Sequence, residues 1–415
     1  MSSEWYRGKL GDVVELKRGY DLPQAQRTKG SVPLVSSSGV SDFHNTAMVK
    51  GPGVVTGRYG TIGKVFYVED DFWPLNTTLY VRDFKGNDPK FIHYFLRSVD
   101  FFAYSDKAAV PGVNRNHLHE AAVHIPGVCE QKEIAGLLGA LDDRIILLRE
   151  TNATLEAIAR ALFKSWFVDF DPVRAKSEGL DPDGMDAATA ALFPDSFVDS
   201  ELGLIPRGWA TRPIYDMASY INGAAYKTFE PNAERRGLPI IKIAELKAGV
   251  TLQTAFSDVT MPEKYLIRTG DILFSWSGNP DTSIDTFVWG HDPALLNQHI
   301  FRVLPHVQSE RSFVLQALRN LKPVFAELAR NKQTTGLGHV TVADLKRLCV
   351  VNPPGMVIEQ FNSLVEKIHQ MIFGNEQKAK TLTQLRDTLL PRLISGQLRL
   401  PEVEASVKAV LSEAV

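Results

Sequence analysis

The sequence contains little cysteine, no long apolar run and no large excess of charge of either sign. Cys129 and Cys349 are the only cysteines in 415 residues, which excludes a disulfide framework and cysteine-rich metal sites and fits a reducing cytoplasm. A membrane-spanning helix needs about 18 consecutive apolar residues, and no such run is present. The first residues do not resemble a secretory signal. The net charge of −2 excludes a strongly basic, histone-like protein, and we expect a cytoplasmic location.

The length and the charge distribution indicate several segments. A chain of 415 residues is too long for one ordinary core, and its composition is that of a globular protein. Residues 1–127 carry a net charge of +2 and residues 205–356 one of +4, whereas residues 169–204 carry −7. Two mildly basic segments are thus separated by an acidic connector, which is compatible with nucleic-acid binding or with ordinary solvated surfaces.

The sequence contains an internal repeat. At a shift of 227 residues, and without gaps from Leu118 to Phe167, Leu118 matches Leu345 and Pro126 matches Pro353. Upstream matches require gaps: Trp5 with Trp209, Asp12 with Asp216 and Gly19 with Gly223 at a shift of 204, and Leu75-Asn76 with Leu296-Asn297 at a shift of 221. We therefore predict an α+β protein with two similar mixed α/β domains, each followed by one long helix.

Each long helix has apolar residues at alternating spacings of four and three, which is typical of a coiled coil. The predicted interface residues are Ile134, Leu138, Leu141, Ile145, Asn152, Leu155, Leu162 and Trp166 in the first helix, and Phe361, Val365, Ile368, Ile372, Asn375, Leu382, Leu389 and Leu393 in the second. Two equal repeats most simply relate by a two-fold axis, so we predict antiparallel helices. Full overlap then places Asn152 opposite Asn375, where a buried polar pair would fix the register.

Composition and periodicity together predict six segments. They are a first domain (1–127), a first long helix (128–168), an acidic connector (169–204), a second domain (205–356), a second long helix (357–396) and a C-terminal tail (397–415). Within the domains, short apolar strands are separated by Gly and Pro, and we predict helices from Lys90 to Arg97 and from Arg311 to Leu328. The tail after Pro401 is expected to be frayed.

The catalytic motifs that can be searched for are incomplete. The loop Gly57-Arg-Tyr-Gly-Thr-Ile-Gly-Lys64 resembles a phosphate-binding loop, but Arg58 stands where that motif needs glycine and Val65 where it needs Ser or Thr. The segment Asn352-Pro-Pro-Gly355 lacks the aromatic residue that would stack on a flipped base. The spacing of His117, His119 and His124 does not suit a metal site, so we predict no metal ion and no catalytic residue.

The polar loops of both domains instead suit DNA recognition, although each residue could equally belong to an ordinary turn. Arg, Asn and Gln side chains form directional hydrogen bonds to base edges, and lysines neutralise phosphates. The candidates in the first domain are Arg58, Tyr59, Lys64, Lys107, Asn114, Arg115 and Asn116, and those in the second are Lys227, Trp276, Asn279, Lys332, Gln333, Thr334 and His339. Trp276-Ser-Gly occupies the place of Arg58-Tyr-Gly, so the two domains are predicted to recognise different targets.

The pattern as a whole resembles the DNA specificity subunit of type I restriction–modification systems. In the first half, the resemblance is carried by Leu10-Gly-Asp12 after Trp5, Gly57-Arg-Tyr-Gly-Thr-Ile-Gly63, Leu75-Asn76 and Glu130-Gln-Lys-Glu-Ile134. Phe163-Lys-Ser-Trp-Phe-Val-Asp-Phe-Asp-Pro172 closes the first helix, Leu204-Ile-Pro-Arg-Gly-Trp209 opens the second domain, and Leu389-Leu-Pro-Arg-Leu-Ile-Ser-Gly396 closes the second helix. These motifs occur in this order over nearly the full chain.

The resemblance implies two target recognition domains, each of which reads one half of a bipartite DNA site. It implies two modification subunits, which carry S-adenosylmethionine and methylate adenine, and two motor–nuclease subunits, which use ATP and magnesium. The chain itself would be non-catalytic and hold no cofactor. Two other functions stay open from the sequence: a stand-alone DNA adenine methyltransferase, and a coiled-coil adaptor with no role in DNA binding.

Overall fold

The chain divides into two compact units. The computed structural model describes residues 5–105, 112–333 and 337–413. One unit consists of Met1–Leu148 with Lys378–Val415, and the other of Arg149–Gln377. Each unit contains one mixed α/β domain and part of each of two 40-residue helices, the first long helix (Val128–Phe167) and the second long helix (Gly355–Ile394).

The first domain is built from short strands and three short helices within the described residues. Its strands are β1 (Tyr6–Lys9), β2 (Glu15–Arg18), β3 (Val32–Ser36), β4 (Gly39–His44), β5 (Gly53–Gly57), β6 (Val65–Val68), β7 (Trp73–Pro74), β8 (Thr78–Asp83) and β9 (Ala122–Ile125). Its helices are Leu10–Val13, Pro89–Arg97 and Arg115–His119. The central sheet is antiparallel with the order β2-β8-β5-β6, and a second sheet has the order β4-β3-β7.

Helix Pro89–Arg97 attaches the first domain to the long helices. The Asp88 carboxylate caps it by accepting a 2.8 Å hydrogen bond from the Phe91 N–H, and proline suits the first helical position. Its apolar face, which includes Phe91, belongs to the same buried core as Leu138 of the first long helix and Leu393 of the second. The domain and the helices of this unit therefore share one hydrophobic core.

The second domain repeats this arrangement. Its strands are β12 (Ala210–Pro213), β13 (Ala218–Asn222), β14 (Leu238–Ile241), β15 (Phe256–Ser257), β16 (Leu266–Ile267), β17 (Ile272–Ser275), β18 (Ser277–Gly278), β19 (Asp285–Val288), β20 (Ala294–Leu296), β21 (Ile300–Pro305), β22 (Gly338–His339) and β23 (Cys349–Asn352). Its helices are Ile243–Ala248, Arg311–Asn320, Lys322–Asn331 and Val342–Arg347. The sheet β13-β21-β17-β19 is antiparallel and matches β2-β8-β5-β6 strand for strand. The structure thus confirms two similar mixed α/β domains.

One predicted helix is wrong in detail. The expected helix from Arg311 to Leu328 consists of two helices, which meet at Leu321. Pro323 lies in the first turn of the second helix, where its missing N–H costs nothing, whereas it would break the interior of a continuous helix.

The connector is a folded part of its unit. It contains helices Asp171–Ser177 and Ala187–Ala190 and the hairpin of β10 (Phe197–Ser200) and β11 (Gly203–Pro206). Phe170, Val173 and Phe193 are buried in the main core of the unit. The negative charges of this segment therefore lie on a packed structure.

The expectation of a frayed tail is wrong. Residues Leu400–Glu413 form a helix, and Leu400 and Val407 are buried in the core of the first domain's unit. Arg399, next to this helix, lies 5.0 Å from the centre of the Trp5 ring and forms a 3.1 Å ion pair with Glu130.

In the unit of the first domain, the long helices pack antiparallel. Asp142 of the first long helix accepts a 2.5 Å hydrogen bond from Arg386 of the second. Glu130, twelve residues earlier, meets Arg399, which lies beyond the end of the second helix. Ile134, Leu138, Leu141 and Ile145 are buried together with Leu382, Leu389 and Leu393.

In the other unit, the remaining parts of the two long helices also run antiparallel. Asn375 Nδ2 donates to Asn152 Oδ1 over 2.8 Å, so the predicted asparagine pair is present. The ring of Trp166 lies 5.8 Å from that of Phe361, its predicted partner. Leu155 and Leu162 are half-buried, whereas Phe163 and Phe167 enter the core, because an α-helix of 3.6 residues per turn drifts from a strict heptad.

Within the described residues, no helix has the length and apolar character needed to cross a bilayer.

Candidate nucleic-acid interface

Three segments of the first domain meet at what we call the first junction: residues 58–59, 76–77 and 112–114. The main-chain N–H groups of Arg58 and Tyr59 donate to the carbonyl of Thr77 over 2.9 and 3.2 Å. The Val113 N–H donates to the Arg58 carbonyl over 3.0 Å, and Tyr59 forms a β-bridge with Gly112. Main-chain hydrogen bonds alone thus bring the candidates Arg58, Tyr59 and Asn114 into one region.

The second domain has an equivalent second junction, formed by residues 276–277, 298–299 and 338–340. The Trp276 N–H donates to the His299 carbonyl over 3.4 Å, and the Val340 N–H donates to the Trp276 carbonyl over 2.8 Å. Ser277 pairs with His339. By these bonds, Trp276 is equivalent to Arg58 and His299 to Thr77.

Two glycines confirm this register and correct one sequence match. The Gly19 N–H donates to the Thr78 carbonyl, and the Gly223 N–H donates to the Ile300 carbonyl, each over 3.1 Å. A Cβ on Gly19 would lie 2.2 Å from the Leu75 carbonyl oxygen, and one on Gly223 would lie 2.2 Å from that of Asn297. Leu75 is therefore equivalent to Asn297, and the pairing of Leu75-Asn76 with Leu296-Asn297 was one residue out of register. The correct partner of Asn76 is Gln298.

The side chains of the first junction are cationic and amide in character. The Arg58 guanidinium lies 4.6 Å from the centre of the Tyr59 ring, a favourable cation–π distance. The Asn76 side-chain N–H donates to the carboxylate of Asp21, which also accepts a 3.0 Å hydrogen bond from Arg18. The half-buried Arg58 is thus held beside the Tyr59 ring, and the Asp21 carboxylate orients the amide of Asn76.

The second junction is aromatic. The rings of His299 and His339 lie 5.5 and 5.8 Å from the Trp276 ring, and Trp276 Nε1 donates to Asn222 Oδ1 over 3.1 Å. Gln298 Nε2 lies 3.2 Å from His299 Nε2. Burial, and then the charge of His339, lowers the pKa of His299, so its imidazole is neutral at pH 7.

A family model decides what kind of protein carries these two junctions. Residues 2–157 and 206–389 match the model of the type I restriction modification DNA specificity domain, so the model covers both repeats. The chain belongs to this family.

Relatives and a solved structure agree with the family. The chain is 25% identical to the MjaIX specificity subunit of Methanocaldococcus jannaschii over 96% of its own length and 95% of the relative. It is also 25% identical to the HindI specificity subunit of Haemophilus influenzae, over 81% of this chain and 84% of the relative. Its fold is similar to that of a type I restriction-modification S subunit from M. genitalium, with a TM-score of 0.58 at 16% identity over 95% of this chain and 96% of the other.

In this member of the specificity family, two predicted base-reading asparagines have local structural roles. Asn114 caps helix Arg115–His119 by accepting a 3.0 Å hydrogen bond from the Asn116 N–H. Asn279 Oδ1 accepts from the N–H groups of Asp281 and Thr282 over 3.0 and 3.1 Å. Asparagine favours such caps and turns, and each amide keeps its N–H donors for other partners.

Lys332 is bound within the protein. Its ammonium donates to the buried carboxylate of Asp344, which also accepts a 2.7 Å hydrogen bond from Arg347. Burial alone would raise the pKa of Asp344, but the hydrogen bonds from Lys332 and Thr341 hold it well below its usual value. Lys332 therefore anchors the start of helix Val342–Arg347, a role that the sequence did not indicate.

The remaining candidates are exposed or lie outside the described residues. Lys64, Arg115, Asn116, Lys227 and Gln333 are exposed, and among the described contacts none joins Lys227 to the second junction. Lys107 and Thr334 lie outside the residues that the structure describes. Nowhere in the described ranges do three His, Cys, Asp or Glu side chains form a group that could hold a metal ion.

Sequence reasoning missed Asn222, Gln298 and His299. Asn222 lies at the end of β13, just before Gly223, and the other two residues immediately precede β21. The match of Gly19 with Gly223 pointed to this region, but the one-residue error in the other match concealed the equivalence of Gln298 with Asn76.

Proposed function

We propose that this chain selects the DNA target of a type I restriction–modification complex by reading a bipartite site, with one half for each domain. The observation that carries the proposal is that one main-chain frame displays different side chains in the two domains. The Arg58 guanidinium lies over the Tyr59 ring at the first junction, and the Trp276 ring lies beside those of His299 and His339 at the second. Two different surfaces on one scaffold suit the recognition of two different sequences.

The candidate residues divide by chemistry. Lys64, Lys107 and Lys227 are proposed to contact phosphates and so position the domains, without sequence preference. Arg58, Asn114, Arg115, Asn116, Asn279, Gln333 and Thr334 are proposed to contact bases, with Tyr59, Trp276 and His339 as aromatic neighbours. Lys332 was grouped with the phosphate contacts, but its bond to Asp344 supports a positioning role instead.

The relatives are named as specificity subunits of type I restriction enzymes, which supports a multisubunit partner set. The proposed partners are two modification subunits, which supply S-adenosylmethionine and methylate adenine, and two motor–nuclease subunits, which use ATP and magnesium. In this proposal the chain is non-catalytic, binds no cofactor and works in the cytoplasm beside the genome. Isothermal titration of the purified chain with S-adenosylmethionine is expected to give no heat of binding, and saturable binding would contradict this assignment.

The decisive experiment is to map methylated adenines in a host that expresses this chain with its modification subunits. We expect one split, asymmetric motif with an unread spacer, and no such motif when this chain is omitted. Exchange of residues 1–126 for the corresponding segment of another family member should change only one half of the motif. A continuous motif, or a motif that survives without the chain, would contradict the proposal.

A further inference from the structure

The two junctions share a side-chain amide at one equivalent position. Asn76 and Gln298 occupy equivalent positions, as the hydrogen bonds of Gly19 and Gly223 establish. Both side chains are half-buried at the start of the strand that follows, β8 or β21. Both lie one residue before the residue whose carbonyl accepts from Arg58 or Trp276.

Each amide contacts one polar neighbour within its own domain. In the first domain the acceptor is the Asp21 carboxylate, which can only accept, so the amide nitrogen of Asn76 must face it. In the second domain Gln298 Nε2 lies 3.2 Å from His299 Nε2. The two neighbours differ in chemistry, and each occupies one side of the amide.

The remaining edge has the pattern that adenine requires. A primary amide has two N–H donors and one carbonyl acceptor, and an internal bond made by the N–H trans to the carbonyl leaves the other N–H and the carbonyl oxygen side by side. Adenine presents the N7 acceptor and the N6 donor in the major groove, and Asn or Gln binds both at once. An amide that is already oriented also loses less conformational freedom on binding.

We infer that Asn76 and Gln298 are equivalent base-reading residues, each of which recognises an adenine in the half-site of its own domain. His299 and Asp21 are positioning residues that orient these amides, and Asn222 has the same role for Trp276 through its 3.1 Å hydrogen bond to Nε1. The inference rests on the proposed function and extends it by naming two base-reading residues and the base that they recognise.

The test uses the full chain assembled with its modification subunits and a library of randomised DNA duplexes. Asn76→Ala is expected to lower the preference for adenine about 10- to 100-fold at one position of the first half-site only, and Gln298→Ala to do so in the second half-site only. The unaffected half-site in each variant shows that the protein is folded. Gln308→Ala is the matched control, because Gln308 is exposed beyond the far end of β21 and should leave the motif unchanged.

Positioning by His299 has its own readout. His299→Phe keeps an aromatic ring beside Trp276 but removes the ring nitrogen that faces Gln298, so it should lower the same adenine preference as Gln298→Ala. His299→Asn restores a polar side chain and should recover part of that preference. In the double variant with Gln298→Ala, His299→Phe should add little to the loss of adenine preference, because both changes disable the same contact.

Three results would overturn the inference. They are an unchanged motif in both alanine variants, a loss spread evenly over all sequences, and a change at a position that does not prefer adenine. If the wild-type complex selected no split motif from the library, the proposed function itself would be contradicted. The two failures are therefore distinguishable.

Discussion

Asn375 donates to Asn152 over 2.8 Å, and Asn152 in turn donates to the main-chain carbonyl of Ile372 over 3.0 Å. The pair thus satisfies polar groups in an otherwise apolar contact between the two long helices of the Arg149–Gln377 unit. A polar pair of this kind stabilises one alignment of the helices over its alternatives.

Replacement of one asparagine should cost more than replacement of both. Asn375→Leu removes the donor to Asn152 Oδ1, and we expect the free energy of unfolding to fall by about 1–2 kcal/mol. Asn152→Leu combined with Asn375→Leu should recover most of this loss, because two leucines suit the interface. Urea unfolding of the full chain measures both effects. Strictly additive losses in the double variant would show that the two side chains are not coupled.

Asp142 should stabilise the fold at neutral pH, and this contribution should be lost in acid. Burial raises its pKa, but the hydrogen bonds from Tyr94 and Arg386 outweigh this, and the net pKa lies below the usual 3.8. A carboxylate with a lowered pKa stabilises the fold above its unfolded pKa, and that contribution is lost as the pH falls below about 4. Asp142→Asn should therefore lower stability by about 2 kcal/mol at pH 7 and flatten the acid limb of the stability curve. An unchanged acid limb would contradict this role.

His369 should make the other unit sensitive to mild acid. It is held between Ser312 and Gln316, and burial, with the charges of Arg319 and Arg311, lowers its pKa to about 3. The unfolded chain takes up a proton near pH 6.5 and the folded chain does not, so stability falls from pH 6.5 downwards by at most about 1.4 kcal/mol per pH unit. His369→Gln should reduce this slope. Thermal unfolding between pH 4 and 7 tests it, and His117→Gln, at an exposed histidine, is the control.

Arg58 and Lys64 should differ in how their loss affects DNA binding. Arg58→Ala is expected to lower discrimination at one base pair by about 1–3 kcal/mol, because an arginine supported by an aromatic ring suits guanine. Lys64→Ala should weaken binding to DNA of every sequence alike and reduce the salt dependence of binding by about one ion. Affinities of the assembled complex for matched and mismatched duplexes at several salt concentrations separate the two. Uniform loss in the Arg58 variant would assign it to phosphate instead.

Lys332 should affect stability more than the electrostatics of DNA binding. Lys332→Ala leaves the buried Asp344 with one cationic partner fewer, and we expect a loss of about 1–2 kcal/mol in the free energy of unfolding. The salt dependence of DNA binding should change less than in Lys64→Ala. A full reduction by one ion, with unchanged stability, would show that Lys332 contacts phosphate in the complex.

Periodicity predicted the long helices because a helical interface repeats regularly along the chain, and the two-fold relation of the repeats predicted their antiparallel alignment. Asn152 and Asn375 could be paired from sequence since both interrupt that repeat. Pro323 could have divided the predicted helix from Arg311 to Leu328, because a proline in a helix interior removes a hydrogen bond and favours a break.

The junctions were harder to predict because they depend on contacts between segments far apart in the chain. Arg58 and Asn114 could be proposed individually, but the hydrogen bond that joins their segments has no sequence pattern. The role of Lys332 likewise depends on Asp344, a carboxylate buried by tertiary packing. Insertions between the repeats then shifted the match of Asn76 by one residue and concealed Gln298.

The two junctions are held by main-chain hydrogen bonds, which are indifferent to the side chains that they display. Arginine and tryptophan occupy the same place on that frame without any rearrangement of the strands around it. If these positions read bases as proposed, new target preferences would arise by single substitutions there, and either half of the recognised site would diversify while the other half is retained.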